Sequence, residues 1–557
     1  MVAAYRPPEE NKMHRRMARL TLLGTLILIC LGLMFPFNVT SGGPPATDTP
    51  LAAPLFWEGQ AAHLHPTASP DLNPDEAHHA HPLPPAPQPY QPLQSHALQP
   101  CIGGFSGIYP CNGVELLSHI ALNSFPVPVP LAASNIWGYV DLDDNREYAI
   151  IGLYNGTAVV DITDPVNPVI VGKVPAVNSS WRELKVYQFY NAAQSRWDAY
   201  AYITTESAQG LQIIDLTQLP NSVSLAATYL TNFNTAHTLF ISGVNLVTGV
   251  AEPGQTPTII INGARMNGTY LGNGGMRFLN LVDPTAPVEI GSWTTSYMHD
   301  VQALTITDTR TAQCAPGHNP CELVLGWRGT PGFSVIDITN KASPVTLSTL
   351  AYPGLAYAHS GWISDDGMYA FSMDELDDGA PPDKTDVRVI DLHSLVTPTV
   401  AAHWLGPSNV IEHNGYTLNS KYYMSHYHRG LVILDVSNPL VPQEAAFFDT
   451  YPTGNTNNFN GAWGVYPYLP SGNLIISDIE GGLFVVREAP NVGDTPTPTT
   501  TATITATPTV TPTPTTTLTP TVTGTPTPIV TGTPTPTITA TAMLTPNPKL
   551  YLPILQR

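Results

Sequence analysis

The chain has 557 residues, 11% of them charged, a formal net charge of −20, and more proline (57) than glycine (43). A nucleic-acid binder needs a basic face to neutralise phosphates, and no block rich in lysine or arginine follows the N-terminus, so that class of partner is excluded. Long stretches rich in proline and poor in large apolar residues confine the packed part to the middle of the chain.

Residues 1–40 have the layout of an export signal. Arg15, Arg16 and Arg19 precede the uncharged run LTLLGTLILICLGLMFPF at 20–37. A signal h-region is roughly 7–15 residues long and a membrane span about 20, so the run reads as either a signal peptide or a retained signal anchor. Ile29 is too bulky to precede a lipid-modified Cys30. The expected location is extracellular, secreted or attached to the cell surface. Residues 41–100, with HLHP and EAHHAHPLPPAPQPYQP, read as a disordered Pro/His-rich linker. Its histidines (His63, His65, His78, His79, His81) are read as part of a solvated tether in preference to a metal site.

From 101 to 490 the text changes to short apolar runs separated by turns. Cys101 lies near Cys111 and Cys314 near Cys321. In an exported chain, nearest-neighbour disulfides are the expected one of the three possible pairings. The spacings C-x9-C and C-x6-C suit zinc poorly. One stretch recurs. NGTAVVDITDPVNPVIVGKV begins at Asn155 and returns as QGLQIIDLTQLPNSVSLAATY at Gln209, GGMRFLNLVDPTAPVEIGSW at Gly274 and PGFSVIDITNKASPVTLSTL at Pro331. It returns again as TDVRVIDLHSLVTPTVAAHW at Thr385, RGLVILDVSNPLVPQEAAFF at Arg429 and GGLFVVREAP at Gly481. A polar mid-strand position falls at Asp161, Asp215, Asn280, Asp337, Asp391, Asp435 and Arg487, 44 to 65 residues apart.

Each copy is a Val/Ile-rich run, a Pro/Asn/Asp turn and a second run, with two more candidate strands upstream joined by signals such as Asp366-Gly367 and Ser471-Gly472. A four-stranded unit repeated this way cannot bury both faces alone, so each copy is one propeller blade. The expected fold is all-β: a seven-bladed β-propeller. The last copy lacks an outer strand, and VELLSHIAL at 114–122 is free to supply it and close the ring. Residues 491–548 are a Thr/Pro-rich stalk of PPII type. The apolar tail KLYLPILQR at 549–557 is too short to span a bilayer, so membrane contact is expected only through the N-terminal segment or this tail.

The repeat resembles the bacterial LVIVD repeat. CIGGFSGIYPCNGVELLSHIAL, NIWGY, SWRELKVY, MHDVQ, AHSGWISDDGMYAFSMDELDD and FNGAWGVYPYLPSGNLIISDIEGGLFV, in that order, resemble the choice-of-anchor B family of exported proteins over roughly residues 101–489. That resemblance implies an extracellular propeller with a variable anchor. It implies no activity, catalytic residue or cofactor.

With the repeat on the third strand of each blade, the innermost strands begin near Trp137, Trp181, His237, His299, His359, His413 and Trp463. Antiparallel pairing brings the ends of the second strands to the same face, adding Glu206, Arg265, Arg328, Asp374, Glu375, His426, His428 and Asp478, while Arg182 follows Trp181 at the start of its innermost strand. Three readings follow. The histidines and tryptophans lock neighbouring blades. Alternatively His237, His299, His359 and His413 hold a divalent metal ion, with Asp374 or Glu375 as catalytic base of a hydrolase or lyase. Or Trp137, Trp181, Arg182, Glu206, Arg265, Arg328, His426, His428, Trp463 and Asp478 line a face that binds an extracellular ligand, protein or glycan. Binding is the preferred function and the metal enzyme the alternative. The acidic stretch DLDDNRE (141–147) reads as a hairpin turn in preference to a calcium loop.

Overall fold

The computed structural model describes residues 98–378 and 383–490. The signal segment, nearly all of the linker, the stalk and the tail lie outside the described residues.

Seven antiparallel blade sheets follow one another, six of four strands and one, in blade six, of six. The first blade runs from the innermost strand Ala133–Val140 through Glu147–Leu153 and Gly156–Asp161 to the outer strand Val169–Pro175. The next five repeat this order. The seventh takes Ala462–Tyr466, Leu474–Asp478 and Gly482–Glu488 from the end of the domain and Val114–Ile120 from its start. That N-terminal strand pairs with Gly482–Glu488 in the register Val114 to Glu488 and Ile120 to Leu483, closing the ring as its sequence implied. The sequence did not announce a second join. Tyr109–Asn112 pairs with Gln443–Phe448, the outer strand of blade six, so one N-terminal segment stitches blades six and seven. The Cys101–Cys111 disulfide, Cα–Cα 6.0 Å, fastens it. Cys314 and Cys321 form the other expected disulfide.

The repeat's composition follows from its place. Its strand is covered on both sides by neighbouring blades, so it reads as continuous Val, Ile and Leu, all buried in Leu431–Leu434 for example. The polar residue ends the strand and is not in its middle, except Arg487, which is one residue short of the end. There Asp161, Asp215, Asp337, Asp391 and Asp435 each accept the backbone N–H two residues on, at 2.8–3.0 Å, which sets the turn into the outer strand. A second rule sits at the strand's start. Gly210, Gly332, Gly430 and Gly482 have φ from +72° to +94°, and a Cβ there would fall 2.2–2.4 Å from an outer-strand carbonyl oxygen. Only glycine meets both demands. Asp141–Glu147 is the expected turn, with Asp141 Oδ1 accepting the Asp143 N–H at 2.9 Å and Asn145 at φ +61°.

Candidate functional site: the aromatic ring of the channel

Six side chains from the starts of six innermost strands meet around the axis. Their ring centroids form a closed circuit: Trp181 to His237 4.0 Å, His237 to His299 4.2 Å, His299 to His359 4.2 Å. His359 to His413 is 4.5 Å, His413 to Trp463 5.0 Å, and Trp463 returns to Trp181 at 4.7 Å. All six are buried.

Trp137 is not among them. Innermost strand one carries a bulge at Ser134 and Asn135, which takes the place expected for the tryptophan and pushes Trp137 further along the channel. There it packs on Tyr416 and Tyr466 under the ammonium of Lys185, 4.3 Å from its ring. The two small residues of blade one leave Trp463 and Trp181 room to touch.

Hydrogen bonds tie the ring's histidines and Trp181 to the next blade. Trp181 Nε1–H donates to the His237 carbonyl at 3.0 Å. His299 Nδ1 meets the His359 carbonyl at 2.9 Å, His359 Nδ1 the His413 carbonyl at 3.0 Å, and His413 Nδ1 the Trp463 carbonyl at 2.5 Å. A carbonyl only accepts, so each of these three imidazoles carries a proton on Nδ1. Thr238 and Ser360 hydroxyls add parallel bonds to the carbonyls of His299 and His413. His237 departs from the pattern: its Nδ1 meets Glu206 Oε1 at 2.7 Å and its Nε2 meets His299 Nε2 at 2.7 Å.

That last distance separates the four histidines into two pairs. Two nitrogens on one tetrahedral ion, each about 2.0–2.1 Å from it, stand roughly 3.3 Å apart, so His237 and His299 share a hydrogen bond and not a metal. His359 and His413 instead flank Glu375, with Nε2–carboxylate distances of 3.5 and 3.9 Å. These three are one of two sets of three metal-capable groups whose ligand atoms lie within 4.8 Å of one another among the described residues. The other is Cys314, Cys321 and Asp337, whose cysteines share a disulfide.

The remaining nominated residues are already engaged within the protein. Asp374 accepts from the Tyr352 hydroxyl at 3.1 Å, from the Ala356 N–H at 3.0 Å and from the Tyr357 N–H, which makes it the clasp of that loop. Arg182 is buried against the carbonyls of Leu153 and Val177. Arg328 bonds Ser296 and Ser334, and Arg265 packs over Tyr270 in a hairpin projecting from blade three. His426 Nε2 meets the Val410 carbonyl at 2.7 Å, and burial, with Arg429 nearby, pulls the imidazole down to about 3, so it is neutral. His428 packs against Tyr451 with ring centroids 4.7 Å apart and planes tilted by 30°. Asp478 caps the Glu480 and Gly481 N–H groups, and burial beside Glu480 pushes its carboxyl up to about 8.

Beside the ring, a cavity with room for about one water is lined by Asn135, Glu183, Lys185, Asp300, Ser360 and Asn414 among others. Sequence reasoning passed over Glu183, Lys185 and Asp300. The signal was their alternation: Glu183 and Lys185 are two apart on an innermost strand and so share its channel side. Burial, then Glu183, pushes Asp300 up to about 7 against the opposing pull of Lys185. The stretch DELDD adds a second acidic group. Burial and neighbouring carboxylates raise Asp377 to about 7 and Asp378 to about 9, while Arg388 bonds Asp377 at 2.5 Å.

A family model described as the LVIVD repeat matches residues 146–175 and 422–450, the last three strands of blades one and six. No curated protein matches the chain. Among solved structures, the chain is similar to the crystal structure of Chaetomium thermophilum Raptor, at 9% identity and a TM-score of 0.40, over 64% of this chain and 28% of that one. It is also similar to the crystal structure of the computationally designed Ika8 protein, at 9% identity and a TM-score of 0.38, over 71% of this chain and 98% of that one.

Proposed function

We propose that this seven-bladed propeller with LVIVD repeats is an exported protein of the choice-of-anchor B kind, serving as a binding or interaction module for an extracellular protein or glycan. The observation that carries the reading is the closed aromatic ring. The groups at that mouth with the most chemical potential are buried and bonded to neighbouring blades. Such a hub suits a rigid scaffold that presents its loops, among them the hairpin Arg265–Tyr270 with Asn267 to Thr269 exposed at its tip. The channel cavities are only about water-sized, far below small-molecule sites of roughly 300–1,000 Å³, which leaves the outer loops as the binding surface.

The test pairs a binding screen with an activity screen on the full chain and on Glu375→Gln. The binding reading expects saturable capture of an extracellular glycan or protein that the substitution leaves unchanged. Hydrolase or lyase turnover that Glu375→Gln abolishes would replace it with the metal-enzyme reading, which the meeting of His359, Glu375 and His413 favours. Protease shaving of producing cells tests export separately.

A further inference from the structure

Blade five contributes His359 and Glu375, and the loop entering blade six contributes His413. All three are at most 1% exposed. The Nε2 atoms of the two histidines lie 3.5 and 3.9 Å from the two oxygens of the carboxylate. From this geometry we infer that His359, Glu375 and His413 form a binding site for one divalent transition ion of zinc type, which ties blade five to blade six.

Distance is the first support. A charge-assisted N–H···O bond runs at about 2.7–2.9 Å, and both separations exceed it. An ion about 2.0–2.2 Å from each ligand at near-tetrahedral angles sets ligand atoms roughly 3.3–3.5 Å apart, close to the 3.5 and 3.9 Å between each histidine and the carboxylate. Orientation is the second. Both Nδ1–H groups donate to backbone carbonyls, of His413 and Trp463, which fixes the tautomer that offers Nε2 to a metal. Metal-ligating histidines are commonly held in this way by the outer hydrogen bond. The Tyr427 hydroxyl donates to Glu375 Oε1 at 3.0 Å and orients the carboxylate.

Ligand chemistry is the third support. The donor set, two nitrogens and one carboxylate, favours zinc, iron(II) or cobalt(II) over calcium and magnesium, which take oxygen ligands. The depth of the site assigns the ion a structural role, and loading during folding follows from it.

The experiment uses the full chain, produced with Zn²⁺ in the medium, purified without metal affinity and washed with a chelator, with zinc counted by elemental mass spectrometry. One ion per chain is expected, together with a lowered thermal midpoint when the chain is produced zinc-free. His359→Ala/His413→Ala should contain none. Glu375→Gln, which keeps the size and the Tyr427 contact, should fold and hold zinc at least tenfold more weakly. A variant with alanine at 63, 65, 78, 79 and 81 should retain the ion, which separates the site from adventitious binding by the His-rich stretch. Cobalt substitution should give the visible absorption of a four-coordinate ion in wild type and lose it in Glu375→Gln. Folded, zinc-free wild type after production in zinc would overturn the site, as would equal zinc in Glu375→Gln. Neither result would bear on the binding function proposed above.

Discussion

His237 Nε2 lies 2.7 Å from His299 Nε2, and His299 Nδ1 lies 2.9 Å from the His359 carbonyl. With one His299 proton committed to that carbonyl, the Nε2–Nε2 bond needs a second proton. His237 Nδ1 faces Glu206 at 2.7 Å across a further hydrogen bond, which needs a third. The Glu206–His237–His299 chain therefore holds one proton more than two neutral imidazoles beside a carboxylate.

Replacing Glu206 with glutamine removes the group that shares this proton. Glu206 is partly exposed, so part of the loss is screened. Glu206→Gln is expected to lower stability by about 1–2 kcal/mol at pH 7, read by urea denaturation. Unchanged stability would mean these three groups hold no extra proton.

Asp300 gives the channel cavity a pH dependence. Its folded pKa, about 7, is above the ordinary carboxylate value, so the folded state binds more protons between pH 4 and 7. Stability from this group is therefore full below pH 4 and is lost as pH rises through 7. Asp300→Asn keeps the shape without the charge facing Glu183. The variant should be more stable than wild type at pH 8, on the order of 1–3 kcal/mol, and the gap should close by pH 4. Denaturation at the two pH values decides it, and a gap that widens toward acid contradicts the assignment.

Acid acts on His426 in the opposite sense. Its folded pKa of about 3 is below the unfolded value, so the unfolded chain binds the proton first. Its neutral burial contributes fully above about pH 6.5 and is lost progressively from there toward pH 3. His426→Gln should therefore lose less stability than wild type between pH 7 and 5, a comparison that chemical denaturation reads directly. Equal slopes would show that His426 does not set this limb.

Much of the fold was legible because repetition multiplies a weak signal. Seven Val/Ile runs, five of them with an aspartate at the repeated polar position, gave the blades, and the missing outer strand pointed to Val114–Ile120. The site was legible only in part. The repeat brought His237, His299, His359 and His413 to one level, yet nothing in their spacing says which nitrogens meet. The split depends on Glu206 and Glu375, each one residue past a second strand. Trp137 was misplaced because a bulge at Ser134 and Asn135 shifts the register, and a bulge has no fixed sequence mark. The pairing of Tyr109–Asn112 with blade six was also hidden, since an edge strand needs only backbone groups.

That edge pairing carries its own expectation. Cys101→Ser/Cys111→Ser opens a short loop and should lower stability by about 2–3 kcal/mol, with hydrogen exchange accelerating first in 109–120 and in Gln443–Phe448. Exchange rising evenly around the ring would contradict a local clamp.

The central claim is that the ring locks the blades through defined histidine protons, and long-range ¹H–¹⁵N correlation on the histidine-labelled full chain tests it most directly. His299, His359 and His413 are expected to show the Nδ1–H tautomer at pH 7, with no exchange between tautomers. Signals from Nε2–H tautomers at these positions, or tautomers averaging as in free imidazole, would contradict the account.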